Sequence, residues 1–177
     1  RDSCNVWAVK GAEGMLIVDA GTGAWVGAVA ELPARPVALA CTHYFRDHSA
    51  GAVVAARAGI PVWVPEGERA IFEDPGQHFR QRETYIVYDN LWDLYAPIRG
   101  VRAAGVLRDY DRIRPAGLDV EVLPLPGVTL TQVGLGVVLE DGRRVVFSGE
   151  AIHSPGRMAR IAPLQYDYND LWGAADA

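Results

Sequence analysis

Residues 37–48 read VALACTHYFRDH and place two histidines directly after a wholly apolar segment. The apolar part, residues 37–41, is short and uninterrupted, which is typical of a β-strand that is covered on both faces. The polar part contributes His43, Asp47 and His48 within one turn of chain. Loops that follow the carboxyl ends of strands are where α/β folds place binding and catalytic groups.

Two imidazoles and one carboxylate so close together form a ligand set that suits zinc, iron or manganese. The same residues also fit a purely structural role. In that role Asp47 caps the helix that begins near Ser49, and the histidines are ordinary, partly buried side chains. The spacing alone leaves both interpretations open.

The segments on either side of residues 37–48 alternate between strand-like and helix-like patterns. Small apolar residues from Ser49 to Ala58 predict a helix that ends at Gly59. Residues 66–114 mix aromatic and charged side chains, which predicts helices joined by loops. An Asp141-Gly142 pair predicts a hairpin turn between two strands. The predicted strands cover residues 15–18, 37–41, 60–64, 119–123, 134–140 and 143–147, and the pattern favours an α/β or α+β sandwich.

The composition excludes several classes of protein. Of 177 residues, 50% are hydrophobic and 22% are charged, which is enough for a sizeable core and argues against disorder. No composition shift marks a boundary, so residues 1–177 are predicted to form a single domain. The formal net charge of −5 makes nucleic acid an unexpected partner. No apolar run approaches the roughly 20 residues of a membrane helix, and two cysteines cannot build a disulfide framework.

The two ends of the chain indicate a fragment. The sequence begins at Arg1 without an initiator methionine and stops at Ala177 within a helix-like stretch. We interpret it as part of a longer chain, incomplete at its C-terminus. A cytoplasmic location is expected.

The order of the motifs resembles the metallo-β-lactamase superfamily. Residues 43–48 resemble its metal-binding signature His-X-His-X-Asp-His, which follows a hydrophobic strand and precedes a helix of small residues. Four further resemblances occur in the family's order: Asp19-Ala20-Gly21 for Asp-X-Gly, the helix and strand at residues 49–66, Pro126-Gly127-Val128-Thr129 for Pro-Gly-His-Thr, and Phe147-Ser148-Gly149-Glu150 for a strand that ends in Gly-Asp. The resemblance implies a four-layer αββα sandwich with a metal site along one edge of the paired sheets.

The first metal position that the resemblance implies is damaged in this chain. Family members hold that metal with three histidines, whose positions here are His43, Phe45 and Val128. Phe45 and Val128 offer no ligand atom, and a catalytic zinc normally draws three protein ligands. We therefore expect this first position to be empty.

The second implied metal position is better preserved. Its signature ligands are Asp47 and His48, and Glu150 stands where the family has a bridging aspartate. A further histidine of this position would lie beyond Ala177. We therefore predict one divalent metal ion, with zinc first and iron or manganese as alternatives. The predicted ligands are His43, Asp47, His48 and Glu150.

The resemblance implies a hydrolase with a reduced, mononuclear site. His43 and Asp47 are the catalytic candidates, and a metal-bound water would attack an ester, thioester, amide or similar bond of an unidentified small molecule. The alternative is a metal-free, non-catalytic member whose cleft binds a ligand or a protein partner. A third possibility is redox chemistry at iron, which some members of the superfamily perform.

Four other residues have more than one interpretation. His153 could swing toward the metal cleft, but a loop histidine is favoured. His78 lies in the irregular middle of the chain, which often forms a lid or substrate wall in the superfamily, but surface packing is favoured. Asp19 either supports the metal loop, as its family counterpart does, or forms the turn before Gly21. Cys41, at the end of an apolar strand, could ligate a metal or react, but a small core residue is favoured.

Overall fold

Two β-sheets lie face to face in the computed structural model, which describes residues 4–81, 99–154 and 157–158. The first sheet has five strands in sequential spatial order: β1 (Trp7–Gly11), β2 (Gly14–Val18), β3 (Pro36–Ala40), β4 (Val62–Pro65) and β5 (Gly105–Leu107). β1 pairs antiparallel with β2, and β2 to β5 are parallel. The carboxyl ends of the parallel strands therefore meet at one edge.

The second sheet is antiparallel. Its strands are β6 (Arg112–Ile113), β7 (Val120–Pro124), β8 (Val133–Val138) and β9 (Arg144–Phe147). The predicted hairpin between β8 and β9 is confirmed: Gly142 has a φ of 81°, and the Arg143 N–H donates to Asp141 Oδ1 over 3.1 Å. Two short strands, β10 (Ile152–Ser154) and β11 (Arg157–Met158), form a separate pair.

The described helices are short. They are α1 (Arg46–Ser49), α2 (Ala52–Arg57), α3 (Arg69–Glu73) and α4 (Pro75–Gln81), with 3₁₀ turns at Ala24–Glu31, Glu66–Glu68 and Pro115–Gly117. None of the helices in this part of the chain has the length and apolar character needed to cross a membrane.

The predicted helix after the histidine segment occurs with two corrections. It begins three residues earlier than expected and is interrupted at Gly51, where a Cβ would lie only 2.4 Å from Ala20 O. Asp47 lies inside α1 and does not cap it: the N-cap position is Phe45, and no side chain caps this helix. The structural interpretation of Asp47 as a helix cap was therefore wrong.

The predicted helices and loops of residues 66–114 are confirmed only in part. α3 and α4 lie there, but so do the strands β5 and β6. Residues 82–98, on which part of this prediction falls, lie outside the described residues.

Alternating residues of the central strands build two apolar cores. Ile17 and Leu39 face the helices and pack with Ala52 and Phe72, whereas the neighbours of Ile17 on β2 face the second sheet. Burial on both faces of β3 is thus confirmed. Each fully buried Val, Leu or Ile side chain contributes roughly 1.5–3 kcal/mol. The described residues form a mixed α/β sandwich of two sheets with short helices packed against the first sheet, which agrees with the fold that the resemblance implies.

Candidate metal centre

Three predicted ligands converge at the edge where the parallel strands end. His43 comes shortly after β3, His48 lies in α1, and Glu150 follows β9. One ligand atom of each side chain lies within 4.8 Å of the corresponding atoms of the other two. The two imidazole rings are close neighbours, with centroids 4.5 Å apart.

His48 is oriented by a buried carboxylate. Its Nδ1–H donates to Asp19 Oδ2 over 2.8 Å, so Nε2 points toward Glu150 Oε1 at 3.5 Å and Asp47 Oδ2 at 3.9 Å. Although burial alone lowers the pKa of His48, its contacts with the carboxylates of Asp19 and Glu150 outweigh burial and raise the pKa to about 10. A cation bound at Nε2 would take the place of the ring's second proton.

His43 is held in one tautomer by the same carboxylate through Thr42. The Thr42 N–H and hydroxyl both donate to Asp19 Oδ1, over 2.8 and 3.0 Å. Because its hydrogen is directed at Asp19, the hydroxyl accepts from His43 Nδ1 over 2.9 Å. This network assigns the proton of His43 to Nδ1 and leaves a lone pair on Nε2.

The Nε2 atom of His43 is fully buried and has no hydrogen-bond partner among the described residues. Burial, and then the charge of His48, hold the pKa of His43 well below its usual range, so the ring is neutral. Buried polar atoms are rarely left without a partner. A neutral imidazole nitrogen with a free lone pair beside a histidine and a carboxylate is the state required of a metal ligand, so the residues present fit a cation.

Asp47, the fourth predicted ligand, lies beside this group and not within it. Its carboxylate approaches His48 Nε2 to 3.9 Å and stays partly exposed. Burial, and then the negative charge of Glu150, raise the pKa of Asp47. The mutual repulsion of these two carboxylates is a further reason to expect a cation between them.

Phe45 and Val128 bring carbon atoms to the positions where the family resemblance implies histidines. Both side chains are buried in the core cluster that also contains Leu39 and Phe72. The ring of Phe45 meets His43 edge-on, with centroids 5.1 Å apart. An apolar wall therefore flanks the free nitrogen of His43.

Gly149 is required by the close packing of the turn that carries Glu150. Its φ is +55°, and a Cβ there would lie 2.6 Å from Thr42 Oγ1 and 3.3 Å from His43 Nδ1. We expect Gly149→Ala to lower the free energy of unfolding by about 1–3 kcal/mol and to weaken metal binding. Denaturant unfolding and zinc titration measure the two effects.

Gly142→Ala is the matched control for that substitution. Gly142 also has a positive φ, of 81°, but a Cβ added there would have nothing within 4 Å. It shares the backbone strain and lacks the clash. Equal effects of the two substitutions on zinc affinity would contradict the role of Gly149.

Two buried polar residues were missed by the sequence analysis. Glu68 and Gln132 are each 1% exposed. Gln132 Nε2 donates to the Ser148 carbonyl over 3.0 Å and so holds the turn before Glu150. Glu68 looks like one member of a charged, exposed run in the sequence, and no local signal marks it as buried.

Four other residues that the sequence singles out lie outside the group of candidate ligands. Asp19 supports the loop of His43 and His48 through Thr42 and His48, and its φ is 60°, but the turn itself begins after it, at residues 21–22. Cys41 is a fully buried core residue, and burial raises the pKa of its thiol. The ring of His78 contacts Tyr44, with centroids 5.7 Å apart. The backbone of His153 lies in β10, and its side chain is outside the described part of the chain.

Fold and site together define a mixed α/β sandwich with a histidine–carboxylate cluster at the sheet edge. Residues 1–176 match the sequence profile of the metallo-beta-lactamase superfamily, and the chain belongs to that superfamily. No match was found among curated proteins.

Several solved structures of similar fold are metallo-β-lactamases of low sequence identity. BJP-1, a subclass B3 enzyme of Bradyrhizobium japonicum, is 19% identical with a TM-score of 0.62, over 81% of this chain and 55% of that chain. A Cronobacter sakazakii metallo-β-lactamase with a HARLDQ motif is 19% identical with a TM-score of 0.65, over 85% and 57%. Native FEZ-1 of Legionella gormanii is 18% identical with a TM-score of 0.63, over 88% and 64%. The chain thus spans less than two thirds of the length of these structures.

Proposed function

We propose that this chain is a hydrolase domain that uses a single metal ion. In this proposal His43 Nε2, His48 Nε2 and the Glu150 carboxylate hold one divalent cation. The observation that carries the proposal is the buried, unpartnered Nε2 of His43, on a side chain that offers a ligand atom within 4.8 Å of those of His48 and Glu150. Two imidazoles and one carboxylate suit zinc, and iron or manganese to a lesser degree.

The proposed chemistry is attack by water on an ester, thioester or amide bond. A bound zinc ion would supply Lewis acidity and a water of lowered pKa. Asp47 Oδ2 lies 3.9 Å from His48 Nε2 on a side chain that is 30% exposed, and in this proposal its carboxylate would accept a proton from the attacking water. In the metal-free chain, burial and then the charge of Glu150 raise the pKa of Asp47, which favours a proton on this carboxyl.

The other residues of the site orient the ligands and shape its polarity. Asp19 fixes the ring of His48 directly and that of His43 through Thr42, in the manner of the carboxylates that commonly support metal-bound histidines. Phe45, and with it Val128, lowers the local polarity, which strengthens every charge interaction at the centre.

Zinc titration tests the proposal. We expect one equivalent of zinc to bind per chain and to raise the melting temperature by roughly 5–10 °C at a hundredfold excess over the dissociation constant. A chelator should reverse the rise. His78→Ala, which removes a histidine outside the cluster, should leave both effects unchanged.

Metal analysis of the purified protein can contradict the proposal. If the purified protein and the titrated protein contain no stoichiometric zinc, iron or manganese, the hydrolase proposal fails. The apolar side chains of Phe45 and Val128 favour the second candidate, a metal-free member that binds a ligand or partner in its cleft. Metal analysis that finds iron would instead direct the search to redox substrates, because two histidines and one carboxylate also form the triad of non-haem iron enzymes.

Variation of the signature has a parallel among the similar structures. The HARLDQ motif named for the Cronobacter sakazakii protein shares its first and fifth residues, His and Asp, with HYFRDH at residues 43–48.

The substrate that we propose is a small molecule, and the net charge of −5 argues against nucleic acid as a partner. A cytoplasmic location is part of the same proposal, and subcellular fractionation would test it.

A further inference from the structure

Glu68 is a buried acid outside the cluster of ligands. It ends the 3₁₀ turn that follows β4, and its side chain is only 1% exposed. The hydroxyls of Thr129 and Thr131 donate to its Oε1, the latter over 3.4 Å, and the backbone N–H of Tyr44 faces the same carboxyl. Glutamates are almost never fully buried unless they are paired, so this position calls for an explanation.

The partners of Glu68 belong to the two loops that frame the candidate centre. Tyr44 follows His43 directly, and Thr129 follows Val128. The Tyr44 carbonyl is held from the other side, because Ser49 Oγ donates to it over 2.7 Å. The backbone of Tyr44, next to His43, therefore meets a buried side chain on its N–H side and another on its carbonyl side.

We propose that Glu68 is a positioning residue for the candidate metal centre: its buried carboxyl ties the loop after β3 to the loop after β7 and so sets the orientation of His43. This inference rests on the proposed function, because the orientation of His43 matters only if His43 binds the metal ion. It adds to that function a residue that touches neither the ligands nor a substrate.

The protonation of Glu68 agrees with this role. Burial raises the pKa of Glu68 to about 8, so the carboxyl is neutral at pH 7 and its hydrogen bonds cost no buried charge. Its Oε2 is buried without a hydrogen-bond partner among the described residues. Within residues 4–81, 99–154 and 157–158, the titratable groups that interact with it are Asp19, Cys41 and Tyr44, none of which is a cation.

The raised pKa of Glu68 predicts that the folded protein becomes less stable as the pH rises. The folded protein keeps the proton of Glu68 up to about pH 8, whereas the unfolded chain releases it near the ordinary glutamate pKa of 4.5. Stability therefore falls as the pH rises from about 4.5 through 8. Glu68→Gln retains an acceptor oxygen and cannot ionise, so this fall should be absent in that variant.

Three variants separate positioning from simple structural support. Glu68→Leu keeps the bulk and removes the acceptor, Glu68→Gln keeps the acceptor, and Glu66→Leu is the control on the same turn. Glu66 is exposed, and its carboxylate pairs with Arg108 over 2.7 Å. Two measurements apply to each variant: amide hydrogen exchange at Tyr44 in the metal-free protein, and titration with cobalt(II) followed by its visible absorption.

We expect Glu68→Leu to speed exchange at Tyr44 about tenfold or more. Cobalt(II) binding should weaken by about 10–100-fold, as for loss of a residue that supports a metal ligand, with an altered absorption spectrum. Glu68→Gln and Glu66→Leu should stay within about threefold of the parent in both measurements. If Glu68→Leu does not fold, Thr129→Val removes one donor to the carboxyl and should move both measurements in the same direction.

Unchanged exchange at Tyr44 together with an unchanged cobalt(II) spectrum, in a folded variant that lacks the acceptor or its donor, would overturn the inference. A parent protein that binds no cobalt(II) would instead defeat the proposed function. The exchange measurement would still show whether Glu68 holds the loop.

Discussion

Asp19→Asn is expected to lower the free energy of unfolding by about 3–5 kcal/mol, the cost of breaking a buried charged pair. The carboxylate of Asp19 is 3% exposed and accepts hydrogen bonds from the Thr42 N–H, the Thr42 hydroxyl and His48 Nδ1. An asparagine amide keeps one oxygen and turns its NH₂ toward one of these donors. Because asparagine tolerates a positive φ, the effect reports the lost charge and not the backbone conformation at 60°.

The same substitution should weaken zinc binding by about 10–100-fold, because both histidines lose the group that orients them. Asp141→Asn, in the exposed hairpin where the carboxylate accepts from Arg143, is the control and should change stability by about 0.5 kcal/mol or less. Denaturant unfolding with and without zinc measures both effects.

The loss of stability in Asp19→Asn should depend on pH in the metal-free protein. The folded pKa of His48 is raised to about 10 from an ordinary value of 6.5, so the stabilisation of its charged ring is complete below pH 6.5. It disappears as the pH rises through about 10. The difference in stability between parent and variant should shrink over that interval. A difference that is constant from pH 6 to 10 would show that the pair of Asp19 and His48 is not its source.

The parts of the fold that follow from local pattern could be predicted from the sequence. A continuous apolar run at residues 37–41 has no polar side chain to turn toward water, so cover on both faces of β3 was a direct consequence. The Asp141-Gly142 turn was predicted because a positive φ after a short polar residue is cheap only for glycine. The convergence of His43, His48 and Glu150 followed from the order of motifs in a known family, not from spacing alone.

Features that depend on distant contacts could not be predicted. Nothing near Glu68 in the chain shows that it is buried, since the hydroxyl it meets belongs to Thr129, 61 residues away. At the break in the helix, the Gly51 N–H donates to the Gly21 carbonyl over 2.8 Å, and a helix-favouring run of alanine and valine gives no hint of this contact. The same limit applies to Asp47: a capping role and a place beside a metal are equally good local interpretations, and only the fold excludes the cap.

Glu150→Gln is expected to weaken zinc binding by more than about 100-fold. Loss of a residue that only supports a metal ligand typically weakens binding by about 10–100-fold, and loss of a ligand should exceed that range. Its carboxylate supplies the negative charge within the group of ligands and lies 3.5 Å from His48 Nε2. The glutamine keeps the size of the side chain and loses the charge. Since the side chain of Glu150 is 29% exposed, the stability of the metal-free protein should change by no more than about 1 kcal/mol.

Glu150→Asp is the decisive control for that loss, because aspartate is what the family resemblance places at this position. It keeps the carboxylate and shortens its reach by one methylene, so zinc should bind far more tightly than to the glutamine variant. Isothermal titration with zinc measures the three proteins side by side. If glutamine and aspartate bind zinc equally, charge at position 150 does not hold the cation, and the ligand set must be sought around Asp47. If the parent, Glu150→Gln and Glu150→Asp all bind zinc as tightly as the control variant Gly142→Ala, the cation lies elsewhere on the chain.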